Sequence, residues 1–333
     1  MPSSWIPTTC ALCAMRDDVV LFEIRHEDAP DGRSAMVRCQ RCGLRRLDPR
    51  PDPASLTRYY AAGGKAGYNA YAGRTRSHWK QAVWELLRDG ASRPPEQPLI
   101  GRLLRPISGP LARWMFDINV DLGRQPGRAV LEVGCGYGDL LLYLKSRGAS
   151  VTGTDLSPDA VSQGHAHGLD LRLGLLRELA LPGDSFDHLV TCHSLEHMPD
   201  PGAEIAEFCR LLRPGGELHI AVPNGDSGAL QLDGARWGHL SFPLHFWLFD
   251  GRTLTELLAR HSFRIVRGPK TIALHHLHHA LGTWRKNRLE SGVGFATRAL
   301  GRWLRVSSTR TGGEILRFVA VKQPGPAISR APR

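Results

Sequence analysis

The chain has 333 residues, 42% of them hydrophobic and 23% charged, with a formal net charge of +11. That balance excludes an intrinsically disordered chain, and the length suits a core domain with one or two smaller pieces. Met1 to Trp5 holds no basic stretch leading into an apolar segment, and no later run reaches bilayer-spanning length. No transmembrane segment is therefore expected, and the cytoplasm is the expected location.

Residues 1–50 contain Cys10-x-x-Cys13 and Cys39-x-x-Cys42, with short β-like runs such as Val19 to Phe22 between them. Each pair can form a tight turn that points two thiolates at one tetrahedral ion, with Zn–S distances of about 2.3 Å. Four sulfurs close the coordination shell. Cys10, Cys13, Cys39 and Cys42 are thus expected to hold a structural zinc, replacing the core that so small a ribbon cannot build. The 25 residues between the pairs slightly exceed common ribbon spacing, and unrelated cytosolic thiols are the alternative. Two Cys-x-x-Cys pairs, with Cys135, Cys192 and Cys209 lying singly inside apparent core elements, fit metal binding better than disulfides.

The Pro-rich stretch from Asp48 to Pro53 ends the ribbon. Residues 51–125 read as a helical linker region: a Tyr- and Gly-rich link around 59–71, then a helix over 77–89 with Trp79, Val83, Trp84 and Leu87 at helical spacing.

Over 126–323 strand-like and helix-like segments alternate, which predicts an α/β fold with a Rossmann-like, seven-stranded sheet. The strands are expected at 129–133, 150–155, 170–173, 186–191, 217–222, 263–267 and 314–321, and helices at 139–147, 158–166, 201–212 and 252–260. A basic insertion at about 270–312 precedes the last strand, and 324–333 is left as a tail. From Arg285 to Arg333 eleven Arg or Lys face two acids, Glu290 and Glu314, so much of the excess charge belongs to this end.

The first strand runs into Glu132-Val133-Gly134-Cys135-Gly136-Tyr137-Gly138, and a helix follows at once. Glycines there let the backbone turn sharply and approach a ligand closely. The second strand ends in Asp155, seventeen residues past Gly138, where a carboxylate can accept hydrogen bonds from both ribose hydroxyls. Loop and acid together imply a bound nucleoside. The spacing is G-x-G-x-G, not G-x-G-x-x-G, and Glu132 and Asp139 flank the loop. Carboxylates would repel the pyrophosphate of NAD, whereas they suit the ammonium and sulfonium of S-adenosylmethionine.

Together with Leu181-Pro182, Ser185-Phe186-Asp187, His193-Ser194-Leu195-Glu196-His197 and Leu212-Arg213-Pro214-Gly215-Gly216, these residues resemble the class I S-adenosylmethionine-dependent methyltransferases over nearly all of 128–322. The Leu-Glu-His form is similar to ubiquinone-biosynthesis O-methyltransferases. The ribbon ending Arg41-Cys42-Gly43-Leu44, with Val222-Pro223-Asn224 and Phe242-Pro243-Leu244-His245-Phe246 downstream, resembles a narrower group that includes sugar C-methyltransferases. The resemblance implies cofactor contacts from Glu132, Gly134, Cys135, Gly136, Gly138, Asp155, Leu156, Leu176 and His193. The acid or amide usual at the adenine is absent around Leu175-Leu176-Arg177, leaving backbone groups and Leu176 for that end.

If the acceptor is a hydroxyl or an acidic carbon, a base must take its proton, and histidine is the usual choice near neutral pH. His193, just past the fourth strand, and His245, among Phe242, Phe246 and Trp247, are the candidates; packing is the plainer role for each. His275, His276, His278 and His279 lack an accompanying acid or cysteine, so a solvated or substrate-facing helix fits them better than a metal site. In the insertion, Ala296, Leu300, Trp303 and Leu304 can line one helix face with Arg298, Arg302 and Arg305 elsewhere. Such a helix suits either a peripheral membrane contact or a lid. The expected acceptor is a small molecule or saccharide, phosphate-bearing in the form the basic lid would favour. Nucleic acid is disfavoured because the charge lies far from the ribbon; an RNA base methyltransferase and a non-catalytic binding module are the alternatives.

Overall fold

The computed structural model describes residues 4–55, 127–272 and 313–324. The helix read at 77–89, the His275–His279 cluster and the basic helix face around Trp303 lie outside the described residues.

The N-terminal part forms β1 (Trp5–Ile6), β2 (Asp18–Arg25), β3 (Arg33–Cys39), β4 (Arg45–Asp48) and β5 (Arg50–Pro51). β2, β3 and β4 make an antiparallel meander, and β1 pairs with β5. Arg46 of β4 is fully buried, gripping Asp18 through two 2.6 Å hydrogen bonds and Thr8 through two more. A buried guanidinium is tolerable only with such complete pairing.

Strands β6 (Ala129–Val133), β7 (Ser150–Asp155), β8 (Asp170–Leu173), β9 (Phe186–Cys192), β10 (Leu212–Pro223), β12 (Phe263–Ile272) and β13 (Ile315–Lys322) build the central sheet in the order β12-β13-β10-β9-β6-β7-β8. β13 is antiparallel to both its neighbours, and the pairs among β6 to β10 are parallel. The seven strands match the seven read from the sequence. Parallel strands are covered on both faces, which is why β6 reads as a near-continuous apolar run. Leu131, Leu189, Leu218 and Ile220 point to one layer, with Phe208, Leu254 and Leu257. Val130, Val190 and Ala221 point to the other, against Leu140, Tyr143 and Leu144.

The helices are α1 (Asp139–Ser146), α2 (Pro158–Ala166), α3 (Pro201–Leu211), α4 (Gly228–Asp233) and α5 (Gly251–Arg260). Their starts follow local chemistry. Ser157 and Asp200 accept from the Ala160 and Ala203 amides, each with proline in the first helical turn, and Asp250 with Thr253 forms a capping box.

The two parts share one core. β11 (Trp247–Leu248) pairs with Arg45 and Arg46 and extends the N-terminal sheet to four strands. Leu44 and Leu47 pack in the same cluster as Phe246, Phe249 and Leu254. Arg45 bridges to Asp226 and Asp250 at 3.2 and 3.1 Å. Among the described residues no helix is long and apolar enough to cross a membrane.

Candidate functional site

The loop after β6 turns through left-handed glycines, with φ of +71° at Gly134, +54° at Gly136 and +75° at Gly138. The amides of Gly134 and Cys135 donate to the Thr154 carbonyl at 2.8 and 3.0 Å, tying the loop to the end of β7. Asp155 is buried there. Its Oδ2 accepts from the Gly136 amide and its Oδ1 from the Ser157 amide, both at 2.8 Å. Each oxygen keeps a further lone pair, which is the arrangement that two vicinal hydroxyls require. Burial raises the carboxyl above its usual range against the pull of these amides.

Beside this loop lies a cleft with about 750 Å³ of empty space, part of it open to solvent. Gly134, Asp155, Leu156, Leu176 and His193 reach its wall, joined by Ser194, His197, Met198, Pro199 and Glu204. Glu132, Cys135, Gly136 and Gly138 are not on that wall. Glu132 is buried with Oε2 free of hydrogen bonds; burial and the nearby Asp139 and Asp155 push its carboxyl well above the carboxylate range. Three acids so close favour a cationic ligand, as the sulfonium and ammonium of S-adenosylmethionine would be. The residues present therefore fit that cofactor.

Gly134 leaves no room for a side chain. A Cβ there would stand 2.3 Å from Ser194 Oγ, at a φ that L-residues rarely adopt. Gly134→Ala is expected to weaken S-adenosylmethionine binding by about tenfold or more, since strain of this kind costs on the order of 1–3 kcal/mol. Equilibrium dialysis checks it; unchanged affinity would show that the loop does not contact the ligand.

At the far end of the wall a carboxylate stands where the linear sequence shows none. Glu204, from α3, is buried beside Leu175 and Leu176, with Oε1 accepting from Arg177 Nε at 3.1 Å. The usual acid position follows β8 in the sequence; Glu204 is brought there by folding alone.

The two candidate bases occupy different places. His193 has φ +53°, a conformation rare outside glycine that marks strained, often functional, positions. Its amide donates to the Ala221 carbonyl at 2.8 Å, its ring is a third exposed, and it faces the cleft. Nδ1 lies 3.6 Å from Oε1 of the fully buried Glu196. His245 does not line the cleft. It sits behind Glu196, with Nε2 3.9 Å from the same oxygen and its ring 4.5 Å from that of His197. His197 Nδ1 donates to the Leu244 carbonyl at 3.1 Å. Burial opposes ionisation of Glu196, yet the surrounding imidazoles of His193, His245 and His197 bring its carboxyl down to about 2. Burial takes His245 down to about 3, so the ring behind Glu196 is neutral near pH 7.

In the N-terminal part the four cysteine sulfurs converge. Cys10 and Cys42 Sγ are 3.2 Å apart, Cys13 and Cys39 3.4 Å, and Cys13 and Cys42 3.8 Å. These separations are far beyond a disulfide bond of about 2.05 Å and near the edge of about 3.8 Å that four 2.3 Å bonds to a tetrahedral ion would set. The donor set is compatible with zinc.

Residues 110–267 match the family model described as a methyltransferase domain. Ubiquinone biosynthesis O-methyltransferase of Xanthomonas oryzae pv. oryzae (strain PXO99A) is 40% identical over 113 residues, covering 32% of this chain and 47% of that enzyme. The enzyme of the same name from Hahella chejuensis is 39% identical over 106 residues, covering 30% and 44%. The chain thus spans about half the length of these relatives. Among solved structures, the complex of the Haloferax volcanii Trm112 methyltransferase activator with a putative methyltransferase aligns at TM-score 0.49 and 20% identity, over 67% of this chain and 95% of that one. A putative sarcosine dimethylglycine methyltransferase from Galdieria sulphuraria aligns at 0.47 and 18%, over 74% and 97%. Neither score reaches 0.5, and the fold assignment stands on strand order and loop. With the family match over the glycine loop, Asp155 and the Leu-Glu-His turn, residues 110–267 carry a class I S-adenosylmethionine-dependent methyltransferase domain.

Proposed function

We propose that the chain transfers a methyl group from S-adenosylmethionine to a hydroxyl oxygen of a small-molecule acceptor, with His193 as general base. The observation that carries this reading is one continuous wall running from Asp155, at the ribose position, to His193, backed by a buried carboxylate. The O-methyltransferase relatives support an oxygen acceptor.

When bound, S-adenosylmethionine supplies an electrophilic methyl on a sulfonium. Asp155 would hold the ribose, Glu132 and Asp139 would bias the loop toward a cation, and Leu176 and Glu204 would receive the adenine, the first by packing and the second as a hydrogen-bond acceptor. Met198 adds apolar surface to the same wall. His193 takes the acceptor proton at Nε2 while Nδ1 faces Glu196 Oε1. A fixed negative charge behind the ring stabilises the imidazolium that forms, and it needs no reorganisation during the step. His245 and His197 pack around Glu196 and hold it in place, so His245 would serve as a positioning residue. The proposed structural zinc at Cys10, Cys13, Cys39 and Cys42 takes no part in the chemistry, because four sulfurs leave no open position.

The test is release of S-adenosylhomocysteine in the presence of hydroxylated aromatic and saccharide acceptors. Once an acceptor is found, His193→Gln is expected to lower kcat by about 10²–10⁴-fold with little change in the affinity for S-adenosylmethionine. His245→Gln is expected to lower it less and to shift the pH profile. Full activity in His193→Gln would eliminate the base assignment.

A further inference from the structure

At the end of the central strands β9 and β10 away from the cofactor cleft, a second group of donors converges that methyl transfer does not use. Glu217 and His219 stand two residues apart on β10 and so share a face. In the parallel register Glu217 lies across from His188 of β9, so a third donor joins the same face. His219 Nε2 is 3.2 Å and His188 Nδ1 3.6 Å from the same Glu217 oxygen, Oε2, and the three ligand atoms all lie within 4.8 Å of one another.

The imidazoles are unusually placed for simple packing. His219 is 1% exposed; its Nδ1 is buried without a hydrogen bond, and its Nε2 faces Glu217 Oε2 at 3.2 Å. His188 Nδ1 is also buried without one. Buried polar atoms are ordinarily satisfied, because leaving one bare costs on the order of 1–3 kcal/mol. His219 Nε2 and His188 Nδ1 both face Glu217 Oε2, so a cation seated among the three would take one lone pair from each. Burial keeps both rings neutral near pH 7, with His188 brought down to about 4, and neutral imidazole is the form that ligates a metal.

We propose that His188, His219 and Glu217 form a second metal site, for a zinc-class divalent ion. Bonds of 2.0–2.1 Å at tetrahedral angles set donor separations of about 3.3 Å, and the 3.2 and 3.6 Å observed bracket that value. Two imidazoles with one carboxylate select zinc, cobalt or nickel over magnesium and calcium, which prefer all-oxygen shells. Glu217 and His188 remain partly exposed, at 29% and 16% of their side chains, giving water access to the remaining coordination position. The ion would clamp β9 to β10, the strands that lead to His193 and Asn224 at the cleft end.

The test uses the full chain, zinc-replete as purified, titrated with Co²⁺ and with Zn²⁺ by calorimetry and visible absorption. The expected result is one further equivalent bound, with cobalt d–d bands and no sulfur charge-transfer band, and a higher Tm in added zinc. His188→Gln and Glu217→Gln, both at partly exposed positions, should each weaken that binding by about tenfold or more while leaving the Tm without added metal unchanged. No further equivalent in the wild type overturns the proposal. So does a further equivalent that both variants retain, since the ion would then sit elsewhere, as on His275 to His279. Sulfur charge transfer on the added cobalt would likewise refute it by placing the ion on the cysteines.

Discussion

Asp155→Ala is expected to weaken S-adenosylmethionine binding by roughly 10²–10⁴-fold, measured by isothermal titration with the methyl donor and with S-adenosylhomocysteine. A hydrogen bond to a charged group contributes about 1.5–3 kcal/mol, and two ribose hydroxyls would lose theirs together, at about 1.4 kcal/mol per tenfold. The same change also removes the acceptors of the Gly136 and Ser157 amides, which lie at 2.8 Å. Loop order and ligand contact therefore fail at once. Asp155→Asn separates the two. Its amide oxygen can still accept from one backbone N–H, so part of the loop geometry survives while the charge is lost, and an intermediate loss of affinity is expected. A wild-type-like Kd in Asp155→Ala, at unchanged Tm, would remove the ribose assignment and with it the cofactor reading of the cleft.

The loop and acid proposed to hold the ribose were legible in the sequence because their determinants are local. A glycine loop between strand and helix and an acid at the next strand tip are fixed by positions along the chain. The structure brings Gly134, Asp155, Leu156, Leu176 and His193 to one wall, with Glu132, Cys135, Gly136 and Gly138 off it. Glu204 was not legible. It belongs to α3, 27 residues beyond Arg177, and only the packing of that helix against the turn after β8 brings it in. The grouping of Glu196 with His245 is hidden for the same reason, since the two are far apart in the chain and meet across the core. Single-residue patterns also failed at short elements. β11 has two residues, too few to show a period, so its addition to the N-terminal sheet left no mark in the sequence. α4 has six, and lies in a stretch without helical spacing clear enough to read. β10 extends back to Leu212 through Arg213-Pro214-Gly215-Gly216, a run that reads as a turn; an irregularity in its pairing with β9 between Leu212 and Glu217 absorbs it.

Cys39→Ser is expected to release the zinc proposed at the four cysteines and to unfold more than the ribbon. The two cysteine turns are docked on α5: Arg252 donates to the Cys42 carbonyl and Arg260 to the Leu12 carbonyl. Gly43 keeps that approach open, for a Cβ there would stand 2.5 Å from the Arg252 guanidinium, at φ +77°. Leu44 and Leu47 then continue into the cluster holding Phe246, Phe249, Leu254 and Leu257, which underlies the central sheet. Structural zinc sites of this kind contribute about 10–16 kcal/mol in isolated peptides. If a third of that reaches the intact chain, at about 2–4 °C per kcal/mol the Tm should fall by roughly 7–20 °C. Scanning calorimetry with a colorimetric zinc assay measures both. Loss of one zinc per chain with a single, lowered transition is the expected outcome, because a shared core cannot melt in halves. Loss of zinc with the main transition unmoved would mean that the ribbon and the methyltransferase sheet are energetically separate. An unchanged zinc content in the variant would remove the four-cysteine assignment itself.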